Sequence, residues 1–98
     1  MATEQVREED LDYSAILWRE EGIWNAIQVP AQQAIVLDDL LALCKQYPGE
    51  GGVYAVVGVS GEFFIVLRSD PRKTEAFISD GFALLDWDIA EDAADLID

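Results

Sequence analysis

Apolar and polar residues alternate along Tyr13–Trp18 and again along Ile23–Val29, a period of two that predicts strands. The two join across Arg19-Glu20-Glu21-Gly22, and any even-numbered loop gives the same partition of faces. One face takes Ile16, Trp18, Ile23, Ile27 and Val29, with Ser14 and Asn25. The other takes Tyr13, Ala15, Leu17, Trp24 and Ala26, with Gln28. Pro30 ends the second strand, and Ala31–Leu37 gives no clear assignment. The period then changes. Leu37, Leu40, Leu41, Cys44 and Tyr47 recur at helical spacing, so a helix is expected from Asp38, its N-cap, with Asp39 near its positive end. Lys45 falls in the last turn, and Pro48-Gly49 stop the helix.

Two nearly unbroken apolar runs follow, Val53–Val59 and Phe63–Leu67, with Ser60-Gly61 between them. Their Val, Ile and Phe content predicts a central hairpin with both faces covered. With Ser60-Gly61 as the whole turn, Val59 pairs with Glu62 and Gly58 with Phe63, which would cover the glycine's bare backbone. One face then carries Tyr54, Val56, Phe63, Ile65 and Leu67; the other carries Val53, Ala55, Val57, Val59, Phe64 and Val66. Two apolar faces need two covers, since each large side chain left exposed forgoes roughly 1.5–3 kcal/mol. Either the helices divide between the faces, or one face docks on another chain.

Ser69–Arg72 reads as a turn and Lys73–Ser79 as a last, more polar strand near an edge. Ser79 or Asp80 caps a short helical turn, Gly81–Leu85. Asp88 caps a final helix, with Glu91 completing a capping-box start. Ile89, Ala93, Leu96 and Ile97 share one face of that helix; Asp88, Glu91, Asp92, Asp95 and Asp98 share the other. The predicted fold is therefore α+β: a five-stranded, mainly antiparallel sheet in the order β-β-α-β-β-β-α, with helices packed on it. Residues 1–98 make one domain, and Met1–Asp10 is a flexible acidic leader. In element order the chain is similar to longin and roadblock-type domains, which wrap helices on both faces of such a sheet.

Composition narrows the function. Hydrophobic content of 51% and charged content of 27% are those of a folded protein. No apolar run reaches the roughly 18 residues of a membrane span, and the acidic start is unlike a signal peptide, so the expected compartment is the cytoplasm. The net charge is −14. Residues 1–12 carry five acids and 86–98 carry six. Such a surface repels phosphate backbones, so no direct nucleic-acid binding is expected, and a basic partner is favoured.

With no histidine and one cysteine, Cys44, imidazole metal sites, histidine-based catalysis and an intrachain disulfide are all excluded. Cys44 lies on the helix's apolar stripe and reads as a core residue. The glycines of Pro48–Gly52 do not make a phosphate loop, because they follow a helix and open a strand. Asp86-Trp87-Asp88, with Glu91 and Asp92, lacks the Gly-bearing loop of a calcium site. No catalytic, cofactor or metal residue is assigned.

Four separated pieces occur together: Pro48-Gly49-Glu50-Gly51-Gly52, Glu62-Phe63-Phe64, Ile78-Ser79-Asp80 and Ala83-Leu84-Leu85-Asp86-Trp87. In this order the chain resembles the bacterial tRNA adenosine deaminase-associated proteins, most closely over Pro48–Asp95. That resemblance implies association with the deaminase and carries no catalytic residues with it. A zinc deaminase needs His or Cys ligands and a nearby Glu, and this chain lacks the ligand set. The expected function is a non-enzymatic accessory or interaction module of such a deaminase, acting as a homodimer or partner-bound. Val57, Phe64, Val66, Asp86 and Trp87 are its interface candidates, and Phe64→Asp should break a dimer or unfold the chain. The second reading is an acidic decoy that occupies a partner's basic nucleic-acid-binding surface. It requires one continuous carboxylate patch.

Overall fold

The computed structural model describes residues 5–47, 49, 51–80 and 87–96. Five strands form one antiparallel sheet: β1 (Leu11–Glu20), β2 (Ile23–Gln28), β3 (Val53–Val59), β4 (Phe63–Ser69) and β5 (Thr74–Ile78), in spatial order β2-β1-β3-β4-β5. Helix α1 (Leu37–Cys44) links β2 to β3, and α2 (Asp88–Ala94) follows β5. The predicted class and element order hold, and Thr74–Ile78 is an edge as expected.

The first hairpin turns more tightly than its polar stretch suggested. Glu20 pairs with Ile23, leaving Glu21-Gly22 as a two-residue turn with φ of 53° and 79°. Both lie in the left-handed region that a twist-matched hairpin turn requires. The loop is even-numbered, so the predicted faces of β1 and β2 stand.

The central hairpin differs by one residue. Val59 pairs with Phe63 and Gly58 with Phe64, so the loop is Ser60-Gly61-Glu62. Because side chains alternate, the extra residue moves all of β4 to the opposite faces. Val53, Ala55, Val57 and Val59 now share a face with Phe63, Ile65 and Leu67, all buried. Tyr54 and Val56 share the other with Phe64, Val66 and Arg68. The turn is set from outside the hairpin: Ser60 N–H donates to the Asp10 carbonyl, and Gly61 N–H to the Asp12 carboxylate. Tyr13, rather than Phe63, covers Gly58. A Cβ built on Gly58 meets the Tyr13 ring.

The helices do not divide between the faces. The core gathers Ile16, Val57, Val59, Ile65 and Leu67 with Leu37, Leu40 and Cys44 of α1 and Ile89, Ala90 and Ala93 of α2. Leu41, Tyr47 and Leu96 pack at its margin. None of Tyr13, Ala15, Leu17, Tyr54, Val56, Phe64, Val66 or Phe77 belongs to that cluster. Among the described residues both helices therefore cover one face, unlike the two-sided wrapping of longin and roadblock-type domains. Helix starts also move. Val36 and Trp87 are the N-cap residues, without a side-chain cap bond, so Asp38 and Asp88 lie inside the first turns. There their charge still meets the positive helix end.

Val6 is buried in the core, and Glu8–Asp10 form a 3₁₀ turn. Within the stretch read as a leader, Val6 thus packs into the core: an isolated Val has no periodicity to reveal it. Ser14, a polar interruption on the covered face, is satisfied, its hydroxyl donating to the Val29 carbonyl at 2.7 Å. The expected helical turn Gly81–Leu85 lies outside the described residues, as do Ile97 and Asp98.

Candidate interaction surface

Antiparallel pairing places directly opposite residues on one face. On the uncovered side this lines up Trp24 and Ala26 of β2, Tyr13, Ala15 and Leu17 of β1, Tyr54 and Val56 of β3, Phe64 and Val66 of β4, and Phe77 of β5. Tyr13, Trp24 and Phe77 stand about half exposed, and Phe64 37%. Trp24 lies 6.0 Å from Tyr54, and Phe64 6.0 Å from Phe77, both pairs tilted. The aromatics thus bracket the sheet and leave a shallow dish of ≈ 330 Å³ lined by Leu17, Trp24, Tyr54, Val56 and Val66. Contiguous exposed apolar patches of this kind are a mark of interaction sites.

Charge is segregated away from it. The strand charges on this face are Arg19, Arg68 and Glu75. Arg68 is held in place: Nη1 donates to Asp70 at 3.0 Å and Glu75 at 3.2 Å, and Nη2 to the Gly51 carbonyl at 2.6 Å. A hydrogen bond with Tyr54, then the Asp70 and Glu75 charges, raise its pKa against the cost of desolvation. The Asp70 carboxyl is lowered, first by the backbone N–H of Lys73, then by that of Arg72 and by the nearby cations. The helices carry their own acids, Asp38 and Asp39 in α1 and Asp88, Glu91 and Asp92 in α2. Burial raises the Asp92 carboxyl, and Asp88, Asp95 and Asp38 of the neighbouring helix raise it further. Acids of α1 and α2 therefore sit close enough to feel one another.

Cys44 is fully buried, and desolvation pushes its thiol up to about 11. At neutral pH the neutral thiol therefore predominates over the reactive thiolate. No three His, Cys, Asp or Glu side chains among the described residues are placed to hold a metal ion. A larger cleft of ≈ 610 Å³ opens where α1 ends beside the β4–β5 turn, with Lys45, Arg72, Lys73 and Asp70 in its wall. Asp70 is occupied by the donors above and Lys73 pairs with Glu75 at 3.2 Å, so among the described residues the cleft offers no pair of free carboxylates. Among the described residues, no helix is long and apolar enough to cross a membrane.

The five interface candidates separate. Phe64 and Val66 lie on the open face. Val57 lies on the covered face, fully buried. Trp87 is buried 6.4 Å from Phe63, and Asp86 lies outside the described residues. Grouping Val57 with Phe64 and Val66 followed from the two-residue turn, and the three-residue loop separates them. Tyr13, Trp24 and Phe77 were missed as surface residues. Their alternation was legible, but which face the helices would take was not.

A family model described as Rv3753c-like tRNA adenosine deaminase-associated protein matches residues 12–98. The chain is also 31% identical over 80 residues to Protein Rv3753c of Mycobacterium tuberculosis (strain ATCC 25618 / H37Rv). That alignment takes in 82% of this chain and 46% of the other. The chain thus spans about half the length of the curated relative it matches. No solved structure matches it.

Proposed function

The chain belongs to the Rv3753c-like tRNA adenosine deaminase-associated protein family, and from that premise we propose that it is a non-catalytic accessory module docking on a tRNA adenosine deaminase. It acts in the cytoplasm, as a self-associated protein, and does not itself bind RNA. The observation that carries this reading is the open sheet face. Tyr13, Trp24, Phe64 and Phe77 project from the sheet, rimmed by few charges, and the described residues hold no cluster of metal ligands. Exposed aromatics on a fixed scaffold are the usual anchors of a protein contact.

The test is co-purification of the full chain with its cognate deaminase. Wild type is retained at micromolar concentration in low salt. Phe64→Asp, with native circular dichroism, is not. Absence of any interaction, or full retention of Phe64→Asp, refutes docking through this face.

A second reading has its own support. The mutual influence of Asp38, Asp88, Asp92 and Asp95 favours a continuous acidic patch on the helical side, the arrangement an acidic decoy needs. In that case deaminase binding weakens steeply with salt and competes with tRNA. Phe64→Asp then has no effect, whereas joint neutralisation of Asp88, Asp92 and Asp95 abolishes binding.

A further inference from the structure

We propose that β2 is a self-pairing edge, through which two copies of this chain join antiparallel into one continuous ten-stranded sheet. Three observations lead there. The first is the backbone. Val29 N–H donates inward to the Ser14 carbonyl at 2.9 Å. By the alternation of antiparallel bonding, Ile27, Asn25 and Ile23 also bond inward, and the N–H and C=O of Trp24, Ala26 and Gln28 point outward along the free edge.

The second is exposure on both sides of one strand. Ile23 is 66% exposed and Ile27 42% on the helical side, and Trp24 is 58% exposed on the open side. A body docked on either face covers one set and leaves the other. A strand added alongside covers both. The third is the lack of protection. Ile23–Val29 carries no charge, proline or glycine, and its pairing with β1 is unbroken by a bulge. The opposite edge, β5, carries Glu75 and follows Lys73. Edges not meant to pair are guarded by such charges.

The occupant is a second copy because the edge complements itself. A two-fold axis perpendicular to the sheet keeps faces continuous only when the numbers of paired residues sum to an even value. With the axis at Asn25, Ile23 meets Ile27 of the second copy and Trp24 meets its Ala26, each twice. The outward groups of Trp24 and Ala26 then face one another as hydrogen-bonded pairs. Moving the axis to Ala26 sets Asn25 against Ile27 and Trp24 against Gln28, which mismatches both faces. Charge agrees: a chain of net charge −14 can approach its own copy closely only along an uncharged line. The two open faces then form one surface of double width, with α1 and α2 of each copy behind it.

The inference does not depend on the deaminase reading, since it is tested on the chain alone. Sedimentation of the full chain should show a monomer–dimer equilibrium that tightens as salt screens the two negative charges. Ala26→Pro removes an outward N–H and leaves the β1 ladder intact; Ile23→Lys places a charge opposite Ile27. Each should weaken the dimer about tenfold or more, ~1.4 kcal/mol. Phe64→Asp, on the open face, should leave it unchanged. Asn25 pairs across the axis at a non-hydrogen-bonded site, where Cα atoms lie about 4.5 Å apart. That is within disulfide range, so Asn25→Cys should yield a covalent dimer on mild oxidation, while buried Cys44 stays unreactive. If Ala26→Pro does not fold, Ile23→Lys and Asn25→Cys decide. A chain monomeric at all concentrations overturns the proposal. So does a dimer that Phe64→Asp dissolves and Ile23→Lys does not.

Discussion

Gly58→Ala tests the registration of the whole sheet with a single methyl group. In strand β3 this substitution should help, since Ala loses about 0.5–1 kcal/mol less conformational entropy than Gly. Here the new Cβ runs into the Tyr13 ring, with Cζ at 2.7 Å and Cδ1 at 2.8 Å. Backbone at both positions is fixed by pairing, because Tyr13 lies directly opposite Gly58. The ring must therefore swing out toward solvent. Tyr13 is 49% exposed, so about half of its surface is now in contact. Half of an aromatic side chain is roughly 100 Å², worth at most ~2.5 kcal/mol at about 25 cal/mol/Å².

Subtracting the entropic gain leaves a net loss of ~1–2 kcal/mol for Gly58→Ala. Urea denaturation of the double-mutant cycle with Tyr13→Ala isolates the cause. Without the ring, Gly58→Ala should be neutral or stabilising, giving a coupling of about 2 kcal/mol. Equal losses in both backgrounds, or a wild-type background stabilised by Gly58→Ala, refute the ring-over-glycine contact and with it this face assignment.

Other expectations follow from single contacts. Val57→Asp buries an unpaired carboxylate beneath the helices and should unfold the chain, seen as loss of the near-ultraviolet circular dichroism that Phe64→Asp retains. Ser14→Ala strands the Val29 carbonyl and should cost ~1–3 kcal/mol by urea denaturation. Asp92 has a raised folded pKa, so its contribution is fully present below its unfolded pKa and lost as pH rises through the folded value. Asp92→Asn should therefore stabilise the protein near neutral pH, by roughly 0.2–0.5 kcal/mol per relieved like-charge pair, with the gain vanishing in acid. Asp70 runs the other way. Its folded pKa is lowered, so the stability it adds holds above its unfolded pKa and disappears as pH falls through the folded one. Thermal melts across pH should show the Asp70→Asn deficit fading in acid.

Much of the surface question was open before the helices were placed. The absence of histidine chemistry was legible from composition, since a missing histidine cannot be supplied by folding. The candidate surface was only half legible. Phe64 and Val66 could be named, but not separated from Val57, because one turn residue decides which face each occupies. Tyr13 and Phe77 alternate like core residues and become surface only because nothing among the described residues packs over them.

What the chain alone determined is therefore local. Period-two runs specify β1 and β2, unbroken apolar runs specify β3 and β4, a 3.6-residue stripe specifies α1, and Gly22 and Gly61 specify turns, because each depends on neighbours a few residues away. The tertiary structure decided the one-residue register of β4, through Asp10 and Asp12 some fifty residues upstream of the Ser60-Gly61 turn. It also decided that both helices share a face. Two apolar faces of similar composition compete for the same cover, and periodicity contains no term that chooses between them.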